Sequence, residues 1–146
     1  MGDKEKAGIL QRWIEKHQAR VLAMLEAQLE EGESVEDWVR GQTAPWELLD
    51  WLPVLDLIHK AMRKHYVLAL TNDRLLVVRT RGTSVKVKDV GSIPLASVAS
   101  IEEQQWPFTA KLTVRLRDGS STSYKEILRD AATSFVGTFE ALTSQA

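Results

Sequence analysis

The run Tyr66-Val67-Leu68-Ala69-Leu70-Thr71-Asn72-Asp73-Arg74-Leu75-Leu76-Val77-Val78 restricts the fold more than any other part of this chain. Two apolar segments rich in strand-forming residues flank four polar residues. Asn and Asp tolerate the left-handed backbone that a tight turn requires. The pattern predicts two antiparallel strands, Tyr66–Thr71 and Leu75–Arg81, joined by the polar turn.

Further strands follow in order. Gly82-Thr83 makes a turn, and Ser84–Val90 alternates Val85 and Val87 inward with Lys86 and Lys88 outward. Ser92–Ile101 continues as a strand, with Pro94 marking its first part as an edge. Ala110–Arg117 alternates Leu112, Val114 and Leu116 against Lys111, Thr113, Arg115 and Arg117. Asp118-Gly119 signals a hairpin back into Ser121–Lys125. A first strand is expected at Glu33–Arg40, although its acidic residues disfavour strands.

Helical periodicity occupies the two ends. Leu10, Ile14, Val21, Met24 and Leu25 recur at helical spacing over residues 3 to about 30, and Gly32 ends the segment. That helix either docks along its own sheet or pairs with a second copy of the chain. After Asp130, a candidate N-cap, the residues Ala132, Phe135, Val136, Phe139 and Leu142 form an apolar stripe. Between the first two strands, Trp51, Leu55, Ile58 and Met62 share a helical face, and Pro53 interrupts it. Two short helices are predicted there, at about 45–51 and 53–63.

Thr71-Asn72-Asp73-Arg74-Leu75 between its apolar runs, and Gly32-Glu33-Ser34-Val35 at the start of the first strand, resemble the signature of the bacterial pleckstrin-homology-like domains. The resemblance covers about residues 30–143. It implies an α+β fold, an antiparallel β-sandwich or partly open barrel capped by a C-terminal helix. The chain then divides into a helical extension, residues 1–30, and the pleckstrin-homology-like domain, residues 31–146, with an unusual helical insertion at about 45–64. The resemblance also implies a non-catalytic binding module for a protein partner or an anionic lipid or phosphate surface.

Composition narrows the chemistry. There are no cysteines, so disulfides and thiolate metal sites are excluded. The N-terminus carries no apolar signal segment, and no run is long enough to span a bilayer. The expectation is an intracellular protein, cytoplasmic or peripheral at the inner membrane face. The net charge of −1 hides a strong asymmetry. Residues 1–59 hold 6 basic and 12 acidic side chains, residues 60–90 hold 8 and 2, and the remainder 5 and 6. The basic block coincides with the central hairpin. It either faces an acidic partner or lies against the acidic N-terminal part.

No catalytic constellation is visible. The three histidines, His17, His59 and His65, share no metal-ligand spacing, and no nucleophile elbow or phosphate-cradling glycine loop is present. No metal, cofactor or catalytic residue is expected, and nucleic acid is disfavoured because the basic block holds only one aromatic residue, Tyr66. The candidate anionic site is Arg79, Arg81, Lys86 and Lys88, brought to one surface if their strands pair. The alternative is that these lysines only block edge pairing. Arg74 is expected to pair locally with Asp73 or with a helix end. Five tryptophans are many for 146 residues. Trp13, Trp46, Trp51, Trp106 and Phe108 are the candidate partner contacts, or else they cover an end of the core. A scaffold that self-associates through the N-terminal and insertion helices, or a small-ligand carrier or enzyme with an unrecognised site, are the rival readings.

Overall fold

The computed structural model describes residues 3–43, 64–82 and 84–144. The insertion helices expected at 45–51 and 53–63, together with Trp46 and Trp51, lie outside the described residues. In chain order the elements are α1 (Asp3–Glu26), β1 (Val35–Thr43), β2 (Lys64–Thr71), β3 (Arg74–Thr80), β4 (Val87–Pro94), β5 (Val98–Gln105), β6 (Thr109–Leu116), β7 (Ser121–Leu128) and α2 (Arg129–Ser144). The strands lie in the spatial order β4-β3-β2-β1-β7-β6-β5, and every neighbouring pair is antiparallel. This is the expected α+β architecture, a strongly bent antiparallel arrangement with a helix at each end of the chain.

Two layers of apolar packing hold it. Leu68, Leu70, Leu75, Leu112, Ile127 and Tyr124 from the strands meet Ala132, Phe135 and Phe139 of α2 in the larger cluster. The stripe read from the sequence therefore faces inward, and α2 closes the open side of the bent sheet. Burial of one such Phe or Leu stabilises by roughly 1.5–3 kcal/mol. The second cluster lies on the other face of the central hairpin, where Val67, Ala69, Leu76 and Val78 pack against Val21 and Leu25 of α1. Both faces of β2 and β3 are thus covered, which explains why these strands are apolar throughout. The C-terminal half of α1 is docked on its own sheet, whereas Ile9, Leu10 and Trp13 of the other half stay exposed.

The bend is made where β1 meets β7. The two strands touch in register at Gln42 and Lys125. Gly41 allows the approach, because a Cβ there would stand 3.0 Å from Ile127 Cγ1 and 3.2 Å from Tyr124 Cβ. Across the junction β7 carries Glu126 with a left-handed backbone, φ 59°. The residues around it shift register against β6, which marks a bulge.

The turn at residues 71–74 is locked by side chains. Thr71 Oγ1 accepts the amides of Asp73 and Arg74 at 3.1 and 3.0 Å, and donates to Glu33 at 2.8 Å. Arg74 does not pair with Asp73. Its Nε and Nη2 grip the Glu33 carboxylate at 2.7 and 2.9 Å, and Nη2 also reaches the Gln28 carbonyl just beyond α1 at 3.0 Å. Asn72 Nδ2 donates to the Gly32 carbonyl and Asn72 Oδ1 accepts the Ser34 amide. The two signature segments, forty residues apart, therefore form a single latch. Glu33 also accepts the amide of Glu30. The Arg74 guanidinium above all holds its carboxyl at about 2, against the usual 4.5.

Several boundaries differ from the expectations. Helix α1 stops at Glu26 rather than near residue 30, because tighter turn bonds at Gln28 and Leu29 tuck Leu29 against the second cluster. The single strand expected at Ser92–Ile101 is divided. Pro94 ends β4, Leu95–Ser97 form one 3₁₀ turn, and β5 begins at Val98. Asp130 lies inside the first turn of α2 instead of capping it.

Candidate functional site

The candidate cations gather at the end of the β3–β4 hairpin. Strand β4 starts at Val87, not Ser84, because Ser84 is used in the turn. Ser84 Oγ donates to the Arg81 carbonyl and accepts the Lys86 amide at 3.2 Å, while the Arg81 amide donates to the Lys86 carbonyl at 2.9 Å. Thr80 Oγ1 donates to the Gly82 carbonyl at 2.9 Å. Gly82 adopts φ +58°, a conformation that costs glycine little. These hydrogen bonds are local, so the turn's own sequence specifies much of its shape.

Arg81, Lys86 and Lys88 project from this turn as exposed side chains. Lys88 occupies a bulge, since Arg79 pairs with Asp89 and Thr80 with Val87. Arg79 is more covered, and its Nη1 stands 3.8 Å from Asp89 Oδ2. The four cations therefore do not form one flat row. Three line the exposed turn, and the fourth stands behind them beside a carboxylate. Over residues 79–90 there are four basic and one acidic side chains, a net charge of +3.

A residue that sequence reasoning did not single out ties this turn to the rest of the molecule. Arg40, on β1, sends Nη2 to the Ser84 carbonyl at 2.9 Å, and its Nη1 stands 3.3 Å from His17 Nε2 on α1. Its half-buried position lowers its pKa through desolvation. Trp38 and Arg40 share one face of β1 by the two-residue period of a strand, which is the only sequence signal that pointed here.

Beside Arg40 runs a groove of about 650 Å³ between α1 and the β1–β7 junction. Trp13, Leu22, Trp38 and Leu128 contribute its apolar walls. A neighbouring recess of about 500 Å³ shares Trp13, His17, Arg40 and Glu126 and extends toward Gln42 and His65. Trp13 stacks on His17 at 5.8 Å with the rings nearly parallel. Trp106 and Phe108 are elsewhere, on the β5–β6 turn, where Phe108 is 84% exposed and its carbonyl accepts the Arg129 amide. Among the described residues, no group of three or more His, Asp or Glu side chains is arranged to hold a metal ion.

A family model described as bacterial PH domain matches residues 29–140. Among curated proteins, none matches the chain. Of solved structures, the hSac2 domain from human phosphoinositide phosphatase Sac2 is similar with a TM-score of 0.53 and 14% identity, over 92% of this chain and 83% of that one. The pleckstrin homology domain from Shewanella amazonensis SB2B gives 0.48 and 12% identity, over 82% of this chain and 95% of that one. The PH domain of USP37 gives 0.49 and 10% identity, over 75% and 98%. At these identities the structural likeness speaks of fold alone.

Proposed function

The chain belongs to the bacterial PH domain family, and from that membership we propose that it is a non-catalytic binding module whose β3–β4 turn recognises an anionic lipid surface. The observation that carries this reading is the pinned turn itself. Arg81, Lys86 and Lys88 stand exposed on a backbone fixed by Ser84, Thr80 and Arg40. Arg79 adds to the same field behind them. Preorganised cations lose little entropy when an anion arrives, and each one near a charged bilayer contributes about 1 kcal/mol. No helix among the described residues is long and apolar enough to cross a membrane.

The test is co-sedimentation of the full chain with phosphatidylcholine vesicles that do or do not contain phosphatidylserine. Binding is expected only to the anionic vesicles and should weaken as salt shortens the Debye length below about 10 Å. The pair Lys86→Glu and Lys88→Glu should weaken it by roughly twentyfold or more. Unchanged binding after that charge reversal removes the site. Binding equal on neutral and anionic vesicles removes the electrostatic mechanism as well. Retention of an acidic protein in place of vesicles would redirect the same cations to a protein partner.

A further inference from the structure

Helix α1 is docked by its C-terminal half, and the other half is largely exposed, with Trp13 stacked on His17 at the rim of the groove. Val21 and Leu25 are fully buried, while Ile9, Leu10 and Trp13 are 53%, 58% and 64% exposed. A helix that only needed to cover the sheet would have polar residues at those three positions. Their neighbours on the helix surface are also unusual. At about 100° per residue, Lys6, Ile9, Leu10, Trp13, Lys16 and Arg20 fall within one arc of roughly 120°. Every one of the six is exposed. Glu15, the only acidic residue between positions 6 and 20, falls on the opposite side and is engaged by Gln11.

The arc is therefore apolar and cationic together. Residues 6–20 carry Lys6, Arg12, Lys16 and Arg20 against Glu15, a net charge of +3. This segment stands beside the β3–β4 turn, which has the same net charge. One guanidinium, that of Arg40, touches His17 on α1 and the Ser84 carbonyl of the turn. Two positive clusters held side by side repel each other, and a common anionic ligand would turn that repulsion into attraction.

We infer that the free half of α1 is an interfacial anchor, lying in the headgroup region of an anionic membrane with Ile9, Leu10 and Trp13 inserted and Lys6, Lys16 and Arg20 on the lipid phosphates. This rests on the reading of the β3–β4 turn as a contact for an anionic lipid surface, and adds to it an apolar, depth-dependent component. The chemistry favours a bilayer over the other occupants. A second copy meeting this face through the same arc would set +3 against +3. An acidic peptide would satisfy the cations but leave the three apolar side chains without a reason. A helical segment that exposes apolar side chains, an indole among them, interleaved with long cationic side chains on one face is suited to a membrane surface.

The absence of cysteine allows a direct experiment on the full chain. Leu10→Cys carries an environment-sensitive nitrobenzoxadiazole label, and Glu15→Cys carries the same label on the opposite side of the helix. On phosphatidylserine-containing vesicles the label at position 10 should brighten and shift to the blue, and the label at position 15 should not. Neither should respond to phosphatidylcholine alone. Lys6→Glu and Lys16→Glu should each weaken vesicle binding by about fivefold or more, and Ile9→Ser by roughly tenfold. If the chain binds the anionic vesicles while the label at position 10 stays silent, the anchor is refuted and the β3–β4 site stands. If the label at position 10 responds to protein concentration without lipid, and light scattering reports a dimer, the face belongs to a second copy and the anchor is likewise refuted. If the unsubstituted chain binds no vesicle, both readings fall together.

Discussion

Replacing Glu33 with Gln tests whether the latch is electrostatic. The substitution preserves volume and leaves Arg74 gripping a neutral amide. Glu33 is a strong case because its side chain is only 5% exposed and takes donors from Arg74, Thr71 and Glu30. A carboxyl held at about 2 instead of 4.5 corresponds to about 3 kcal/mol of preference for the ionised form. The carboxylate is shielded by its own partners rather than by deep packing, so solvent screening reduces the expected loss to about 2 kcal/mol. For a domain of this size that is a fall in Tm of roughly 4–8 °C. The pH dependence has a definite sign. A depressed carboxyl contributes fully above its unfolded value and loses that contribution as pH falls through its folded value. Urea unfolding followed by tryptophan fluorescence should therefore show Glu33→Gln less stable than the unsubstituted chain at pH 7. The gap should close between about pH 4.5 and about pH 2. A gap that is absent at neutral pH, or that persists undiminished at pH 2, refutes the charge-based account of the latch.

Two further substitutions probe the β1–β7 junction. Gly41→Ala should destabilise the fold by about 1–3 kcal/mol, measured by the urea midpoint, because the new methyl would press on Ile127 and on Tyr124 Cβ. Midpoints within error of each other would mean that the two strands separate at little cost. Glu126→Gly should raise stability by about 0.5 kcal/mol, because relief of the left-handed backbone at φ 59° slightly exceeds the added freedom of the unfolded chain. A loss instead of a gain would show that the carboxylate contributes more to the groove wall than its backbone costs.

Local chemistry was what could be read in advance. The central hairpin was legible because polar Thr71-Asn72-Asp73 interrupts two apolar runs and Thr71 bonds the turn's own backbone, and α2 because its apolar residues keep a helical period. Charge block and turn position together pointed to the β3–β4 cations, although the bulge at Lys88 could not be anticipated. A bulge is one extra residue in the register and leaves no mark in the alternation of Val85, Lys86, Val87 and Lys88. Arg74 was read only in part: its bond to the Gln28 carbonyl just past α1 fits the helix-end expectation, but its main partner was missed for a related reason. Its partner, Glu33, is 41 residues away, and from sequence alone the adjacent Asp73 is the natural choice for a guanidinium. The groove was hidden altogether, because it is made of α1, β1 and β7, and the close approach of β1 to β7 depends on Gly41 having no side chain.

Arg40 shows why such long-range features matter more than their stability. Half-burying a guanidinium is costly, and desolvation depresses its pKa accordingly. An apolar residue would pack between α1 and the hairpin with no such cost, and buried charges often stabilise less than their hydrophobic replacements. What a guanidinium does, and a leucine cannot, is donate in several fixed directions at once. From β1 it holds the Ser84 carbonyl and meets His17, so the turn bearing Arg81, Lys86 and Lys88 keeps a set position relative to the cationic arc of α1. Arg40 is best understood as a fixed link between two positive surfaces that the packing of α1 on the central hairpin already brings near each other.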